Sequence, residues 1–276
     1  MATSPSHPHP KDVVLINGLW MTALSWENWV AHLTRLGFNV IARSWPGMDG
    51  DIDALRSDPS SIAQLGIEEI VAHYETIING LEQPPVIVGH SFGGLITQVL
   101  LDRGLGAAGV AIAPAPIKGV IFLPFSTLKV SFPALSNPLN NHRAVPLTED
   151  QFHYAFGNGL SEEDSHAAFE RYAVPGPDHV LFQAALANFN PHAATMVNTH
   201  NDTRAPLLLI AGGNDHVSPP AVVKATARLY EHSKAITEYK EYPNHTHFVL
   251  GEEGWSDVAD DAINWAVKNA RVAEAV

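Results

Sequence analysis

Cysteine is absent from the 276-residue sequence. Disulfide frameworks, cysteine nucleophiles, thiolate zinc sites and iron–sulfur clusters are therefore excluded together. Positive charge is scarce: 16 Lys and Arg stand against 29 Asp and Glu, a formal net charge of −13. A field of that sign repels phosphate backbones and anionic lipid, so neither nucleic acid nor membrane is expected as a partner. An uninterrupted apolar run is also missing. The most apolar stretch, residues 106–125, holds three prolines and Lys118, which argues against a membrane span. Met1 to Pro10 shows neither a basic n-region nor an apolar h-region, so a soluble, cytoplasmic protein without a secretory signal is expected. What is present is ordinary globular composition, 46% hydrophobic and 16% charged. A chain of this length buries roughly three quarters of its unfolded surface without metal or disulfide staples.

Short apolar runs alternate with helical patterns. Val13–Ile16, Phe38–Ala42, Pro85–Val88, Val110–Ala113, Leu207–Ala211 and Thr237–Tyr242 read as strands. Ser25–Leu36, Ile67–Leu81, Phe92–Asp102, Pro220–Tyr230 and Trp255–Val267 read as helices. Strands apolar on both faces and separated by helices predict a parallel sheet covered on two sides. Residues 116–204 break the alternation, with proline-rich loops and helices over Glu149–Phe156, Glu162–Tyr172 and Val180–Phe189 but no strong strand signal. The expected organisation is a disordered tail (1–10), a sheet-forming core (11–115 and 205–276) and a helical lid (116–204). The insertion leaves the sheet at a strand's C-terminal end, where sites in open α/β sheets form.

Gly89-His90-Ser91-Phe92-Gly93-Gly94 matches G-x-S-x-G between a predicted strand and a predicted helix. A serine on so sharp a turn sits in strained backbone, and the positions two before and two after it must carry almost no side chain. Its hydroxyl is lifted clear of the sheet, and the Phe92 N–H at the helix start points where an oxyanion would form. Serine is a poor nucleophile until a base takes its proton and a third group orients that base. In this motif's chain order an acid and then a histidine should follow. Asp215 stands just past the Leu207–Ala211 strand, and His247 follows the Thr237–Tyr242 strand in Asn244-His245-Thr246-His247. His247 is preferred over His245 because Phe248–Gly251 and the last helix follow it. A metal-binding H-x-H pair has no third ligand at a recognisable spacing, so no metal is expected. Asn17-Gly18-Leu19-Trp20, after the first strand, places the Leu19 N–H as the second oxyanion donor.

These residues resemble the α/β-hydrolase superfamily over about residues 12–270. The elbow, Asp215 and His247 stand in the family's order. Leu15-Ile16-Asn17-Gly18-Leu19-Trp20 is similar to its strand followed by His-Gly, and Ser25-Trp26-Glu27-Asn28-Trp29 to its first helix. Asn17 replaces the usual histidine, and Trp45 stands where many members have an aspartate before Pro-Gly. No room precedes the first strand for the two antiparallel strands of many members, so a mostly parallel sheet of about six strands is expected.

The resemblance implies hydrolysis of an ester, thioester, lactone or amide through an acyl-enzyme and without a cofactor, while a small or medium hydrophobic substrate is expected from the apolar residues around the site. Trp20, Met21, Trp45 and Met48 on the rim loops, with Leu123, Phe125, Phe132, Phe152, Phe156, Phe182 and Phe189 in the lid, suggest an apolar pocket. Two alternatives stand beside it. Plant methylesterases and their hydroxynitrile-lyase relatives share the elbow and the tryptophan-bearing helix, so a C–C bond hydrolase or lyase is one. A lysine in the pocket would mark it, Lys118 and Lys129 being the candidates in 116–204. A non-catalytic small-molecule receptor is the other. The acidic blocks Glu162-Glu163-Asp164 and Glu252-Glu253, with Asp49, Asp51 and Asp53, read as solvated faces or helix starts. Nothing in the pattern sets an oligomeric state.

Overall fold

Side chains on both faces of every central strand are apolar, and the sheet they build is parallel throughout. The computed structural model describes residues 10–121 and 124–271. Its strands are β1 (Asp12–Ile16), β2 (Asn39–Ala42), β3 (Val86–His90), β4 (Ala108–Ile112), β5 (Leu207–Gly212) and β6 (Thr237–Tyr242). They lie in the order β2-β1-β3-β4-β5-β6. Val14, Ile16, Ile87 and Leu209 point to one side, against α3 (Ile67–Asn79), α4 (Phe92–Asp102) and α9 (Pro220–Leu229). Val13, Leu15, Val88 and Ile210 point to the other, against α1 (Glu27–Arg35) and α10 (Trp255–Asn269). The period-2 split of each strand between two covered faces is why its sequence reads as an unbroken apolar run. The α1 helix buries Trp29 and Leu33 and closes at Gly37, whose φ of 94° suits a residue without Cβ. A short helix, α2 (Ile52–Ser57), is capped by the Asp51 carboxylate, as a helix-start reading of that residue requires.

From β1 the chain passes first to β2 on one side and then to β3 on the other. The switch point lies at the C-terminal ends of β1 and β3, where such sheets open a crevice.

Residues 116–204 leave after β4 and return at β5. They carry α5 (Phe125–Leu135), α6 (Glu149–Ala155), α7 (Glu162–Tyr172) and α8 (Asp178–Ala185). Two departures from the sequence reading occur here. The α5 helix forms where proline-rich loop is expected, with Pro133 in its last turns. Its exposed Phe125 and Phe132 blur the apolar stripe that would announce it. A two-residue antiparallel ribbon, Ala144–Val145 with Gly176–Pro177, is too short for any periodicity to show. Polar clasps tie the insertion to the core. Trp20 Nε1 donates to Val145 O at 3.2 Å, and Val174 N to Trp20 O at 2.9 Å. Arg56 donates to the Ala173 and Glu170 carbonyls at 3.0 and 2.7 Å. Arg171 and the Tyr172 hydroxyl converge on Glu27, and the hydrogen bond from Arg171 holds that carboxyl below the usual carboxylate range. The tail expected at 1–10 lies, Pro10 apart, outside the described residues, as does Leu123. Among the described residues no helix is long and apolar enough to cross a membrane.

Candidate active site

Strain is concentrated on one rim of the sheet. Among the described residues three non-glycine residues have positive φ: Trp20 after β1 (64°), Ser91 after β3 (55°) and Ala113 after β4 (45°). Such conformations cost on the order of 1–3 kcal/mol each and persist only where the surroundings enforce them. Around Ser91 the enforcement is visible. Its N–H donates to Ile112 O at 2.9 Å, and its carbonyl accepts from Ala115 N at 2.9 Å. A Cβ on Gly89 would collide with the Gly93 carbonyl, and one on Gly93 with the Ile16 carbonyl, so both positions flanking the serine must stay bare.

Asp215 and His247 meet directly. Asp215 Oδ2 lies 2.7 Å from His247 Nδ1, and both side chains are fully shielded from solvent. The other carboxylate oxygen, Oδ1, accepts from the N–H groups of Val217 (2.7 Å) and Ser218 (2.8 Å). Because a carboxylate only accepts, the proton sits on Nδ1 and Nε2 keeps its lone pair. That Nε2 is buried and has no protein partner. The edge of Phe156, from the insertion, packs on the same ring with centroids 5.0 Å apart. His245 turns elsewhere, its Nδ1 2.9 Å from Glu252 Oε1.

Serine and imidazole are joined through their neighbours. The His90 ring lies 4.6 Å from that of His247, and its Nε2–H donates to the His247 carbonyl at 2.9 Å. Burial, and then the nearby His247 ring, hold His90 well below the ordinary histidine range, so it stays neutral with one proton to give. The loop after β1 closes in from the other side. A Cβ on Gly18 would stand 2.8 Å from Ser91 Cβ. Asn17 shapes that loop: its Nδ2 donates to Met21 O (2.7 Å) and Gly18 O (3.1 Å), while its carbonyl accepts from Trp45 Nε1 at 3.1 Å. Leu19 and Phe92 are both buried, and among the described residues neither N–H finds a protein acceptor.

Sequence reading missed several supports. Glu252 is one: it is not on a solvated face but buried, 6% exposed. Its Oε1 accepts from Thr246 N at 2.8 Å and its Oε2 lies 2.7 Å from Thr246 Oγ1, bracing the loop that carries His247. Its place five residues after His247 gives no signal of this, because only the turn of the chain brings it back. Glu162, Glu163 and Asp164 do form the first turn of α7.

A cavity of about 90 Å³ opens beside Ser91, walled by Trp20, Phe92, Leu128 and Val130 of α5 and Leu181 and Ala184 of α8. Of the aromatics expected to line a pocket, Trp20 does so. Met21, Trp45, Met48, Phe152 and Phe156 are core, and Phe125, Phe132 and Phe189 face solvent. Neither lysine reaches the cavity. Lys118 Nζ donates to Asn190 O, and Lys129 Nζ sits 3.6 Å from the Tyr154 ring centroid.

Residues 13–261 match the model of a family described as the alpha/beta hydrolase family. No curated protein matches the sequence. A monoacylglycerol lipase from Paleococcus ferrophilus superposes with a TM-score of 0.61 at 20% identity, over 95% of this chain and 96% of that one. A pyrethroid hydrolase from Sphingobium faniae JZ-2 gives 0.67 at 15% identity, over 93% and 97%. An extracellular α/β-hydrolase from a Paenibacillus species, said to share structural and functional homology with tobacco salicylic acid binding protein 2, gives 0.66 at 18%, over 95% and 100%. At such identities the likeness is one of fold.

Proposed function

Because the chain belongs to the alpha/beta hydrolase family, we propose that it is a serine hydrolase cleaving a carboxylic ester, thioester or lactone of a small to medium hydrophobic substrate. One observation carries the reading. The buried Asp215–His247 pair, closed at 2.7 Å, leaves Nε2 without a protein partner on the rim where Ser91 is held in strained backbone.

Ser91 Oγ attacks the substrate carbonyl as His247 Nε2 takes the hydroxyl proton. Asp215 keeps the ring in the Nδ1–H form and stabilises the imidazolium. The carbonyl oxygen becomes an oxyanion between the Leu19 and Phe92 N–H groups, each such donor being worth about 2.7–4 kcal/mol. Collapse breaks the bond to the leaving oxygen or sulfur, which receives the proton from Nε2, and Ser91 is left acylated. Water, deprotonated by the same nitrogen, then attacks the acyl carbon and releases the acid and free Ser91.

The absence of a lysine from the cavity wall supports hydrolysis over a lyase. The lipase and the pyrethroid hydrolase of the same fold lean the same way. A closed aspartate–histidine pair with an unpartnered Nε2 favours turnover over a non-catalytic receptor. Labelling with a fluorophosphonate, followed by peptide mapping, tests the reading. Modification is expected at Ser91, absent in Ser91→Ala and strongly slowed in His247→Ala. Labelling that persists in Ser91→Ala would overturn it.

A further inference from the structure

The cavity beside Ser91 has a size, a chemistry and an orientation, and together they say more than that the substrate is hydrophobic. Its volume is about 90 Å³. An apolar cavity of about 150 Å³ holds one benzene, and pockets for drug-sized ligands begin near 300 Å³. The space therefore admits a few methylene groups and excludes an aromatic ring.

The walls present no charged side chain. Two of their hydroxyls are committed to the main chain: Thr127 Oγ1 donates to Val217 O at 2.8 Å and Ser131 Oγ to Thr127 O at 2.9 Å. The other wall hydroxyls are those of Ser91 and Ser218, and the rest of the lining is apolar, with Trp20, Leu128, Val130 and Leu181 among it. Apolar walls of this kind accept a neutral hydrocarbon and penalise any group that needs a hydrogen bond.

Orientation follows from which residues are on the wall. Ser91 and Phe92 are, and His247 is not. The leaving group of the proposed reaction must reach the His247 imidazole to collect its proton, whereas the acyl chain only has to extend from the carbon bound to Ser91. The cavity thus belongs to the acyl side.

Resting on the serine-hydrolase reading above, we propose that the acyl group is a short aliphatic chain of about two to four carbons. Leu181 of α8, buried at the cavity wall, and Leu128 of α5, half exposed there, set the limit on its length. An excess methylene in a filled hydrophobic pocket is worth roughly tenfold or more in kcat/KM.

The experiment is a series of p-nitrophenyl esters with acyl chains from acetate to decanoate, plus the benzoate, below their critical micelle concentrations. The butyrate is expected to exceed the octanoate by at least about 100-fold in kcat/KM, with the benzoate as poor as the octanoate. Leu181→Ala should raise the octanoate-to-butyrate ratio by at least about 10-fold. Leu128→Ala, at a half-exposed site that tolerates truncation, should move it in the same direction. Equal turnover of butyrate and octanoate would overturn the size limit and leave the hydrolase reading intact. An unchanged ratio in both variants, each with a normal melting transition, would overturn the roles of the two leucines. No turnover of any ester, together with no phosphonylation of Ser91, would instead bring down the reading on which this rests.

Discussion

Asp215, in the loop after β5, and Asp178, at the first position of α8, are both shielded from water, with 3% and 0% of their surface exposed. Their surroundings are opposites. Asp215 has the His247 ring on one oxygen and two backbone N–H groups on the other. Neither oxygen of Asp178 has any partner, and burial alone pushes its carboxyl up to about 7. The sheet rim supplies donors because loops leaving parallel strands present free N–H groups side by side. The start of α8 supplies none to Asp178. A buried acid is therefore no mark of function by itself. The mark is a carboxylate with donors on both oxygens, one of them a histidine.

The comparison breaks most visibly at Asp215. Asp215→Asn presents an amide where the carboxylate fixed the tautomer, and kcat is expected to fall by about 10³–10⁴ with KM little changed. Asp178→Asn, measured alongside, should leave kcat within about twofold, since that side chain touches nothing in the site. If the two variants lost activity equally, the contrast would be wrong.

His90 offers a smaller effect. His90→Leu leaves the His247 carbonyl without its donor, at a cost of about 1–3 kcal/mol. At about 2–4 °C per kcal/mol the melting temperature should drop by about 2–12 °C, and kcat should fall by about tenfold. His90→Gln, which can still donate to that carbonyl, should recover most of the rate. Recovery distinguishes positioning from mere filling of space. The ring also predicts a pH effect. Its folded-state affinity for a proton is depressed by burial, so below about pH 6.5 the unfolded chain binds a proton that the folded one refuses. Stability should fall as pH drops through 6.5, and His90→Gln should flatten that limb in chemical denaturation measured at pH 5 and pH 7.5.

The smallest effect is on Asp178. Its affinity for a proton is raised by folding, so its penalty is absent below about pH 4 and grows as pH rises toward 7. Asp178→Asn should raise the melting temperature by about 2–5 °C at pH 8 and make little difference at pH 4. Equal shifts at both pH values would show that ionisation is not the cause.

How much of this was legible beforehand depended on distance along the chain. The elbow is a local matter, since Gly89 and Gly93 answer a clash between their own neighbours, and its helix starts at Phe92 as predicted. The Thr237–Tyr242 strand likewise has the bounds its pattern suggests. In 116–204, α5 stayed hidden because its apolar residues face outward as well as inward, and the short ribbon because two residues have no period. Glu252 was misread for a related reason. Charge and position mark it as a surface residue, and only the path of the chain after His247 folds it inward against Thr246.

Composition and periodicity alone determined a parallel, two-sided sheet, and the G-x-S-x-G pattern marked the serine turn, because hydrophobic burial and turn sterics act between near neighbours. Tertiary structure alone decided that the preferred His247 closes on Asp215 at 2.7 Å, that His90 ties the serine turn to the histidine loop, and that α5 and α8 leave so narrow a space beside Ser91. Those outcomes depend on how segments from 32 to 157 residues apart come to rest against one another. No local preference encodes that, since it is settled by the packing of the whole core.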